Sequence, residues 1–469
     1  MTILGLTYDR NLNFRPHLER ITGKALNIYK AIAQAAKATW GLNPDIIRII
    51  YTAVIEPIML YAASSWAITT NREYIRRKLD NLSRIFAIKI SKAHRTASYT
   101  SVLLLGRILP LDLRIAEAAE LYKIKNGSPI PMLPGRPIEK RTSIYRLPHP
   151  ACRDDLHFKI LQTQEELIEV TNKTPTIYTD GSKLEGRVGG AATWWEQGEE
   201  RKSKSFRLNP YNSVFQAEIV AIQEALMMIA KSQHKVVNII SDSRSGLQAI
   251  INTNTTHPLI FNIQTTMRNL ASMNKTANLF WIKAHAGIPG NERADEIAKK
   301  AALTNKQAPK YDGVPLSYVR HTLRQTTIDK WQQRYTEATT GMTTKMFFVD
   351  VRRAHKILSK MKVNNIIAQL LTGHGGFGEY LFRFKLKSNP YCECDGGVCE
   401  TVLHILTECP RFGFRRMETE QILDFAMDTQ NFPSIIEDDS AREAFLKFAI
   451  NSIKIANNRN NSIMKYAID

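Results

Sequence analysis

Four carboxylates are the side chains of this chain best suited to chemistry: Asp180, Glu218, Asp242 and Asp295. The runs T-I-Y-T-D-G-S and V-V-N-I-I-S-D predict two buried strands, with Asp180 and Asp242 at their C-terminal tips. Apolar residues recur at helical spacing around Glu218, and Asp295 opens a second helix after a Pro-Gly turn. Two strand tips and two helices can bring their carboxylates to one point. Because like charges repel strongly without a cation, this set predicts a site for two divalent metal ions.

The order, spacing and types of these residues resemble the ribonuclease H family over residues 174–303. The resemblance implies that the four acids bind two Mg²⁺ ions, with Asp180 bridging both ions. Glu218 and Asp242 would bind one ion and Asp295 the other. Mn²⁺ suits the same oxygen ligands. The string H-A-G-I-P-G-N-E-R-A-D begins at His285, which corresponds to the mobile histidine of the family and implies a role in proton transfer or product release.

The same resemblance implies an α/β fold, with a mixed five-stranded sheet flanked by helices. It also implies a metal-dependent endoribonuclease that hydrolyses the RNA strand of an RNA–DNA hybrid. Residues beside the acids are expected to contact the substrate backbone: Gly181, Ser182, Lys183, Ser243 and Arg244. The asparagine-rich segment that precedes the helix glutamate in cellular enzymes is Ser-Val-Phe here, at residues 213–215, and residues 245–284 hold no basic, tryptophan-rich protrusion. Substrate affinity is therefore expected to come partly from elsewhere in the chain.

Other interpretations compete with this one. Taken singly, each aspartate is most often a turn or cap residue, Glu218 a solvated helix carboxylate and His285 a loop histidine. Taken together, the residues also fit a nucleic-acid-binding fragment that cleaves nothing, or an integrase-type strand transferase of the same general fold. The intact set of four acids argues against a silent fragment. The order of the acids and the string at residues 285–295 favour ribonuclease H over strand transfer.

The N-terminal segment carries a second resemblance. L-G-L-T-Y-D-R-N-L-N-F-R-P-H-L-E-R-I and I-I-R-I-I-Y-T-A-V-I-E-P-I-M-L-Y-A-A-S-S-W-A are similar to the thumb of non-LTR (LINE-type) retrotransposon reverse transcriptases. A polymerase palm would carry an aromatic-x-Asp-Asp turn, but the Asp-Asp pairs at 152–155 and 437–440 lack a hairpin context. We interpret the chain as the C-terminal part of a retrotransposon polyprotein without the palm. An unrelated helical bundle is the alternative for this segment.

Cysteine usage predicts a second metal site. The chain has 5 cysteines, and Y-C-E-C-D-G-G-V-C-E-T-V-L-H-I-L-T-E-C-P holds four of them. Zinc binds four cysteine or histidine ligands in a tetrahedron. The segment resembles the C-terminal zinc knuckle of these polyproteins, which implies a structural Zn²⁺ on Cys392, Cys394, His404 and Cys409, with Cys399 as a bystander. Cys399 remains a competing ligand, and free buried cysteines on a small helix are the alternative.

Composition and charge indicate which class of binding partner to expect. Across 469 residues, Lys+Arg 64 exceeds Asp+Glu 44, and the net charge of +20 favours nucleic acid as the partner. The basic runs at 201–204 and 383–387 are candidate contacts, although such runs are usually solvated faces. Residues 46–68 are apolar but carry Arg48, Glu56 and Pro57, so a buried helix pair is expected and no membrane partner. No signal peptide is recognisable, which predicts a nuclear or cytoplasmic location. The oligomeric state stays open.

The predicted organisation has six consecutive parts. A helical thumb-like region spans 1–120, a Pro/Gly-rich linker 121–170, and the ribonuclease H-like domain 171–305. A helical connector at 306–390, the zinc knuckle at 391–410 and a helical tail at 411–469 form a small C-terminal region. This scheme predicts separate N-terminal and C-terminal regions on either side of the α/β domain.

Overall fold

The computed structural model describes residues 1–35, 41–149 and 156–466. They form two compact units. Unit 1 combines Met1–Lys123 with Leu323–Asp469, and unit 2 is Ile124–Thr322. The sequence suggested separate N-terminal and C-terminal regions, whereas the two ends of the chain share one unit. The physical reason is a common apolar core, in which Trp66 and Phe86 belong to the same cluster as Phe347 and Phe445.

The N-terminal part of unit 1 is helical after a short hairpin. Its elements are β1 (Thr2–Ile3), β2 (Leu6–Thr7), α1 (Arg15–Ala35), α2 (Pro44–Ile50), α3 (Glu56–Leu60), α4 (Ala63–Trp66), α5 (Glu73–Ser91), α6 (Tyr99–Gly106) and α7 (Leu111–Lys125). A π-helical turn, Tyr51–Ile55, joins α2 to α3.

Helices α2 to α4 contain the apolar segment at residues 46–68. Four side chains of these helices and of the π-helical turn are fully buried in the core of unit 1: Tyr51, Ile55, Met59 and Trp66. Among the described helices, none alone has the length and apolar character needed to cross a membrane. The bent pair Pro44–Leu60 and Ala63–Asn71 meets that test only when both segments are counted together.

Unit 2 is built on a mixed sheet with helices packed against it. Its elements are β3 (Phe158–Ile160), α8 (Gln164–Lys173), β4 (Thr176–Leu184), β5 (Arg187–Glu196), β6 (Glu199–Leu208), α9 (Val214–Ala230), β7 (Val236–Ser241), α10 (Arg244–Ile251), α11 (Pro258–Ser272), β8 (Thr276–Trp281) and α12 (Pro289–Thr304). The strand order is β3-β8-β7-β4-β5-β6. Strands β4, β5 and β6 are antiparallel neighbours, whereas β4, β7, β8 and β3 run parallel.

The sheet has six strands instead of the predicted five. The extra strand, β3, lies inside the predicted linker 121–170 and pairs in parallel with β8 at the sheet edge. Helix α8 also falls in that linker and begins with a capping box between Thr163 and Glu166. The proline and glycine residues at 126–150 predict a loop, but this pattern ends before β3 and α8. A three-residue strand is too short to show alternating hydrophobicity.

The C-terminal part of unit 1 is again mostly helical. Its elements are α13 (Leu316–Glu337), α14 (Met342–Phe347), α15 (Val351–Lys360), α16 (Asn365–Thr372), α17 (Gly378–Arg383), β9 (Tyr391–Cys392), β10 (Asp395–Cys399), α18 (Val402–Thr407), α19 (Gly413–Leu423), α20 (Phe432–Glu437) and α21 (Asp439–Tyr466). Helices α7 and α13 pass through the boundaries between the units. The Asp-Asp pair at 437–440 lies where α20 ends and α21 begins, which is a helical junction. The pair at 152–155 lies outside the described residues.

Candidate active site

Sheet register brings two of the predicted acids together. In the parallel pair formed by β4 and β7, Thr179 is the partner of Ser241. Asp180 and Asp242 each follow one of these paired residues, so the two residues lie side by side where β7 ends. Asp242 is at a strand tip as predicted, but Asp180 is not, because pairing with β5 continues β4 to Leu184. Asp180 is 6% exposed and Glu218 is 7% exposed. Carboxylate oxygens of Asp180, Glu218 and Asp242 all lie within 4.8 Å of one another.

Two glycines allow the flanking helices to come this close. A Cβ atom on Gly181 would lie 2.5 Å from the Glu218 backbone nitrogen, so only glycine permits α9 to pack directly against β4. A Cβ atom on Gly290 would lie 2.2 Å from the Tyr178 ring, so the first turn of α12 also needs a glycine. The site is therefore built by close packing of the α9 backbone on the backbone of β4, and of the α12 backbone on the Tyr178 ring of the same strand.

Burial, and to a lesser extent mutual repulsion, makes the three acids hard to ionise. Burial, together with the charges of Asp242 and Asp295, raises the pKa of Asp180 to about 7. Burial, together with the charges of Asp180 and Asp242, raises the pKa of Glu218 well above its ordinary value. Burial also raises the pKa of Asp242, although a hydrogen bond from Asn291 partly offsets the shift. A divalent cation would remove this repulsion.

Two buried carboxylate oxygens support the binding of such a cation at this site. Asp180 Oδ2 and Glu218 Oε2 are buried and have no hydrogen-bond partner among the described residues. Buried carboxylate oxygens normally accept hydrogen bonds, because leaving them unpaired costs free energy. Oxygen ligands also suit Mg²⁺ and Mn²⁺. Both the chemistry of the donors and their unpaired state therefore fit a divalent ion.

The other two predicted catalytic residues lie beside this group. Asp295, on α12, is not a member of the three-carboxylate group, and its Oδ2 accepts a hydrogen bond of 2.6 Å from Lys299 Nζ. Its charge still contributes to the raised pKa of Asp180. His285 is exposed in the loop between β8 and α12, with a left-handed φ of 53°. Its charge acts on the pKa of Asp242, so His285 lies near that side of the site.

Three supporting residues were not identified from the sequence. Asn291 is 4% exposed and donates through Nδ2 to Asp242 Oδ2 over 3.2 Å. Trp281 Nε1 donates to the Asp242 backbone carbonyl over 3.0 Å. Lys299 is four residues after Asp295, the helical spacing that brings opposite charges together. The string at 285–295 contains Asn291, and the four-residue spacing from Asp295 points to Lys299, so both residues could have been found from the sequence. No sequence pattern pointed to Trp281.

The residues predicted to contact the substrate differ in exposure and in the contacts that they already make within the chain. Gly181 is buried beneath α9, and Ser182 and Ser243 are partly exposed beside the acids. Arg244 is exposed and lies over the Trp281 ring, 5.6 Å from its centroid. Lys183 Nζ already donates to the backbone carbonyls of residues 210 and 212. The structure therefore gives Lys183 a role in holding the loop before α9.

The basic runs are also partly engaged within the chain. In the run at 201–204, Lys202 lies over the Trp194 ring and Lys204 pairs with Glu224. In the run at 383–387, Arg383 lies over the rings of Tyr380 and Phe384. Phe384 is 41% exposed, so this second run presents an aromatic surface beside a cation.

Unit 1 contains the predicted cysteine cluster. The Sγ atoms of Cys392, Cys394 and Cys409 are 3.4, 3.9 and 3.4 Å apart. Zinc–sulfur bonds of about 2.3 Å in a tetrahedron place sulfurs about 3.8 Å apart, so this spacing fits one zinc ion. Cys399 is exposed and lies outside this three-thiol group.

His404 is a partial match to its predicted role as the fourth ligand. It is 3% exposed, and its Nε2 atom is buried without a hydrogen-bond partner in the described part of the chain. Its Nδ1 atom is 3.4 Å from Glu408 Oε2, which would orient the ring. His404 is nevertheless not in the group formed by the three thiols.

Comparisons with known proteins agree with this geometry. The family described as RNase H matches residues 172–303. The ribonuclease H of Cronobacter sakazakii is 32% identical over 148 residues, which cover 28% of this chain and 89% of that protein. The solved ribonuclease H1 of Halobacterium salinarum NRC-1 covers 27% of this chain and 96% of its own, with 19% identity and a TM-score of 0.24.

A retrotransposon protein is also similar to part of this chain. The 115 kDa protein of the type-1 retrotransposable element R1DM of Drosophila melanogaster is 29% identical over 127 residues, or 27% of this chain. The match spans only 12% of that relative. The chain belongs to the ribonuclease H family through residues 172–303, and its retrotransposon relatives identify it as a sequence of the LINE-type retrotransposon polyproteins.

Proposed function

We propose that unit 2 is a metal-dependent endoribonuclease that hydrolyses the RNA strand of RNA–DNA hybrids. One observation carries the proposal: three carboxylates converge within 4.8 Å, and two of their buried oxygens have no partner in the chain as described. Such a group is costly unless a cation neutralises it. The match to the ribonuclease H family supports the same activity.

In this proposal each acid has a defined role. Asp180, Glu218, Asp242 and Asp295 would each be a ligand in a site that holds two Mg²⁺ or Mn²⁺ ions. When bound, such ions activate the attacking water and stabilise the leaving oxygen. His285 is exposed on a loop near Asp242, where it would carry a proton to the leaving group or assist product release.

The substrate would be held by groups around these acids. Ser182 and Ser243 lie beside the carboxylates and would hydrogen-bond to the backbone of the hybrid. Arg244 is supported by Trp281 and would pair with a phosphate. The net charge of +20 favours any nucleic acid as a partner and makes binding sensitive to salt.

The chain as a whole would serve retrotransposon DNA synthesis by removing template RNA. Because it spans 12% of its Drosophila relative, this role in the full polyprotein is a proposal. We also propose that Cys392, Cys394, Cys409 and His404 hold a structural Zn²⁺. Such an ion would fold the segment at 391–410 and help it to bind RNA.

Cleavage of a 5′-labelled RNA–DNA hybrid by the purified full chain tests the activity. The reaction is run with Mg²⁺, Mn²⁺ or EDTA, and with labelled single-stranded RNA and duplex DNA as substrates. Asp180→Asn is the test variant. Glu292→Gln is the matched control, because Glu292 is an exposed acid on the same helix as Asp295.

We expect metal-dependent cleavage of the RNA strand alone, retained by Glu292→Gln and lost by Asp180→Asn. Hybrid binding without cleavage at any metal concentration would overturn the proposal in favour of a silent binding fragment. Joined DNA products would indicate strand transfer. Full cleavage by pure Asp180→Asn would show that the acids are not the catalytic site.

A further inference from the structure

Two segments outside the family match lie together in unit 2. Residues 136–142 precede the match and residues 310–314 follow it. The Glu139 backbone nitrogen donates to the Val314 carbonyl over 2.8 Å, and the Val314 nitrogen donates to the Pro137 carbonyl over 2.9 Å. Arg136 also pairs with Asp312 at 2.9 Å. We refer to these two paired segments as the clasp.

The clasp contacts the first turn of α9, the helix that carries Glu218. Glu139 Oε1 accepts hydrogen bonds of 2.8 Å from both Gln216 Nε2 and the Tyr311 hydroxyl. Gln216 forms the capping box that begins α9 with Ser213. Its own Oε1 accepts a hydrogen bond of 3.1 Å from Asn212 Nδ2. The clasp therefore contacts the residue that closes the helix start.

The loop before α9 is held by the second segment of the clasp. Asn212 Nδ2 donates to the Gly313 carbonyl over 3.0 Å. Asp312 Oδ1 accepts from Asn209 Nδ2 over 3.0 Å and from the Tyr211 hydroxyl over 2.7 Å. The first segment of the clasp thus contacts the first turn of α9 through Gln216, and the second segment contacts the loop that leads into this helix.

The residues that form the hydrogen bonds between the clasp and α9 are largely buried. The Glu139 side chain is only 10% exposed, Gln216 is 1% exposed and Asn212 is fully buried. His257 Nε2 is a further neighbour, 3.5 Å from Glu139 Oε2. A buried carboxylate is costly unless donors surround it, and charge-assisted hydrogen bonds in a buried site hold their partners firmly. The contacts therefore restrict the position of the α9 start.

We propose that Glu139 is a positioning residue for Glu218, acting through Gln216. This inference rests on the proposed metal-dependent cleavage. Gln216 and Glu218 are two residues apart in the opening turns of α9, and the terminal turns of a helix fray more readily than its interior. Fixing Gln216 keeps the Glu218 carboxylate within reach of Asp180 and Asp242. Without the clasp, the helix start would move and the three acids would separate.

The test compares Glu139→Ala with Glu139→Gln in the full chain. Glutamine keeps an acceptor oxygen for Gln216 and Tyr311 but removes the charge. Glu169→Ala is the matched control, because Glu169 is an exposed glutamate on α8 in the same unit. Tyr311→Phe removes one donor to Glu139 and provides a second route if Glu139→Ala does not fold.

Three measurements follow each variant: amide hydrogen exchange at residues 213–219, Mg²⁺ binding by calorimetry, and kcat and KM on the hybrid. We expect Glu139→Ala to exchange faster at α9 and to bind Mg²⁺ about 10-fold more weakly or worse, the usual range when a residue supporting a metal ligand is lost. Its kcat should fall while KM for the hybrid changes little. Glu139→Gln should recover most of these losses, and Glu169→Ala should match the wild type.

Unchanged exchange at α9 and unchanged Mg²⁺ binding in Glu139→Ala and Tyr311→Phe would overturn the positioning role. Equal loss of stability throughout unit 2, with no rescue by Glu139→Gln, would reduce Glu139 to a general structural residue and also overturn it. Failure of the wild type to cleave the hybrid would reject the proposed function instead. Exchange and metal binding would then still report whether the clasp positions Glu218.

Discussion

At the scale of single residues, the acids of unit 2 oppose folding when no cation is bound. Burial and neighbouring carboxylates raise the pKa of Asp180 to about 7 and raise the pKa of Glu218 as well. The unfolded chain would ionise the same groups near their ordinary pKa of about 4. Ionising them in the folded state therefore has a cost in free energy, which a bound divalent ion would offset.

This cost predicts how Asp180→Asn changes stability with pH in metal-free protein. Between pH 4 and pH 7 the unfolded Asp180 has lost its proton while the folded Asp180 retains it. The free energy of unfolding of the wild type therefore falls as the pH rises through this window, and it levels above the folded pKa. Asparagine does not titrate, so the advantage of the variant should grow by on the order of 1 kcal/mol per pH unit.

Urea unfolding of both proteins in EDTA, from pH 4.5 to pH 8, measures this difference. Adding Mg²⁺ at pH 8 should stabilise the wild type and leave Asp180→Asn nearly unchanged, because the variant has lost a central ligand. A difference that stays constant across the pH range, or that shrinks as the pH rises, would contradict the burial of a strained carboxylate cluster.

At the scale of elements, close packing of α9 on β4 decides whether Glu218 reaches the site. Gly181 lies under the backbone of residues 217 and 218. Any side chain there would push the helix away from the strand. The capping box at Ser213 and the clasp then determine where the helix begins. Glu218 is therefore positioned by the packing of the α9 backbone on β4 as well as by the local sequence of the helix.

Gly181→Ala should consequently impair metal binding more than it impairs folding. The added methyl group must move α9 away from β4, and such overpacking costs about 1–3 kcal/mol. Moving Glu218 away from the other acids should lower Mg²⁺ affinity and hybrid cleavage about 10-fold or more. Calorimetry with Mg²⁺, thermal melting and cleavage assays measure the three effects.

Gly23→Ala is the matched control for this change. Gly23 lies in α1, where an added Cβ meets nothing within 4 Å. Alanine in an open helical position usually stabilises the helix. Normal Mg²⁺ binding and cleavage by Gly181→Ala would show that α9 can shift without disturbing the acids.

At the scale of the whole molecule, the two units have separate apolar cores. The cysteine cluster belongs to unit 1, in which Cys392 and Cys409 join the same core as Phe432. The carboxylate cluster belongs to unit 2. The proposed zinc and the proposed magnesium should therefore support different parts of the chain.

Zinc content provides a prediction at this scale. The wild type should contain about one zinc per chain, and Cys409→Ser should lose it, because serine replaces one of the three clustered thiolates. Cys399→Ser is the matched control, since Cys399 is exposed and outside the cluster. Metal analysis and thermal melting measure the outcome. Zinc retained by Cys409→Ser, or lost by Cys399→Ser, would show that the ligand set is wrong.

His404→Ala separates two versions of this site. If Nε2 completes the tetrahedron, the variant should bind zinc much more weakly than the wild type. If three thiolates and another ligand suffice, the variant should keep its zinc. A Co²⁺-substituted sample distinguishes these cases, because its visible spectrum reports tetrahedral thiolate coordination.

The sequence alone was enough to single out the candidate acids. Local patterns correctly placed Asp242 at a strand tip and Glu218 on a helix, because hydrophobic periodicity and turn residues act over short distances. The placement of Asp180 at a tip was wrong, because Gly181 indicates a turn locally whereas pairing with β5 continues β4 to Leu184. The resemblance to the ribonuclease H family implied the α/β fold of this domain, and the family match to residues 172–303 confirms it. Five strands were predicted where six occur, because the edge strand β3 is only three residues long.

Tertiary structure decided what depends on residues far apart in the chain. Glu139 and Gln216 are 77 positions apart, and no local pattern links them. The shared core of the two chain ends and the burial of Asp180 likewise arise only when distant segments pack. Spacing can indicate which side chains are able to bind a metal, but desolvation, close packing and the donors around each carboxylate are set by the assembled fold. These features decide the pKa of each acid and the precision of the site.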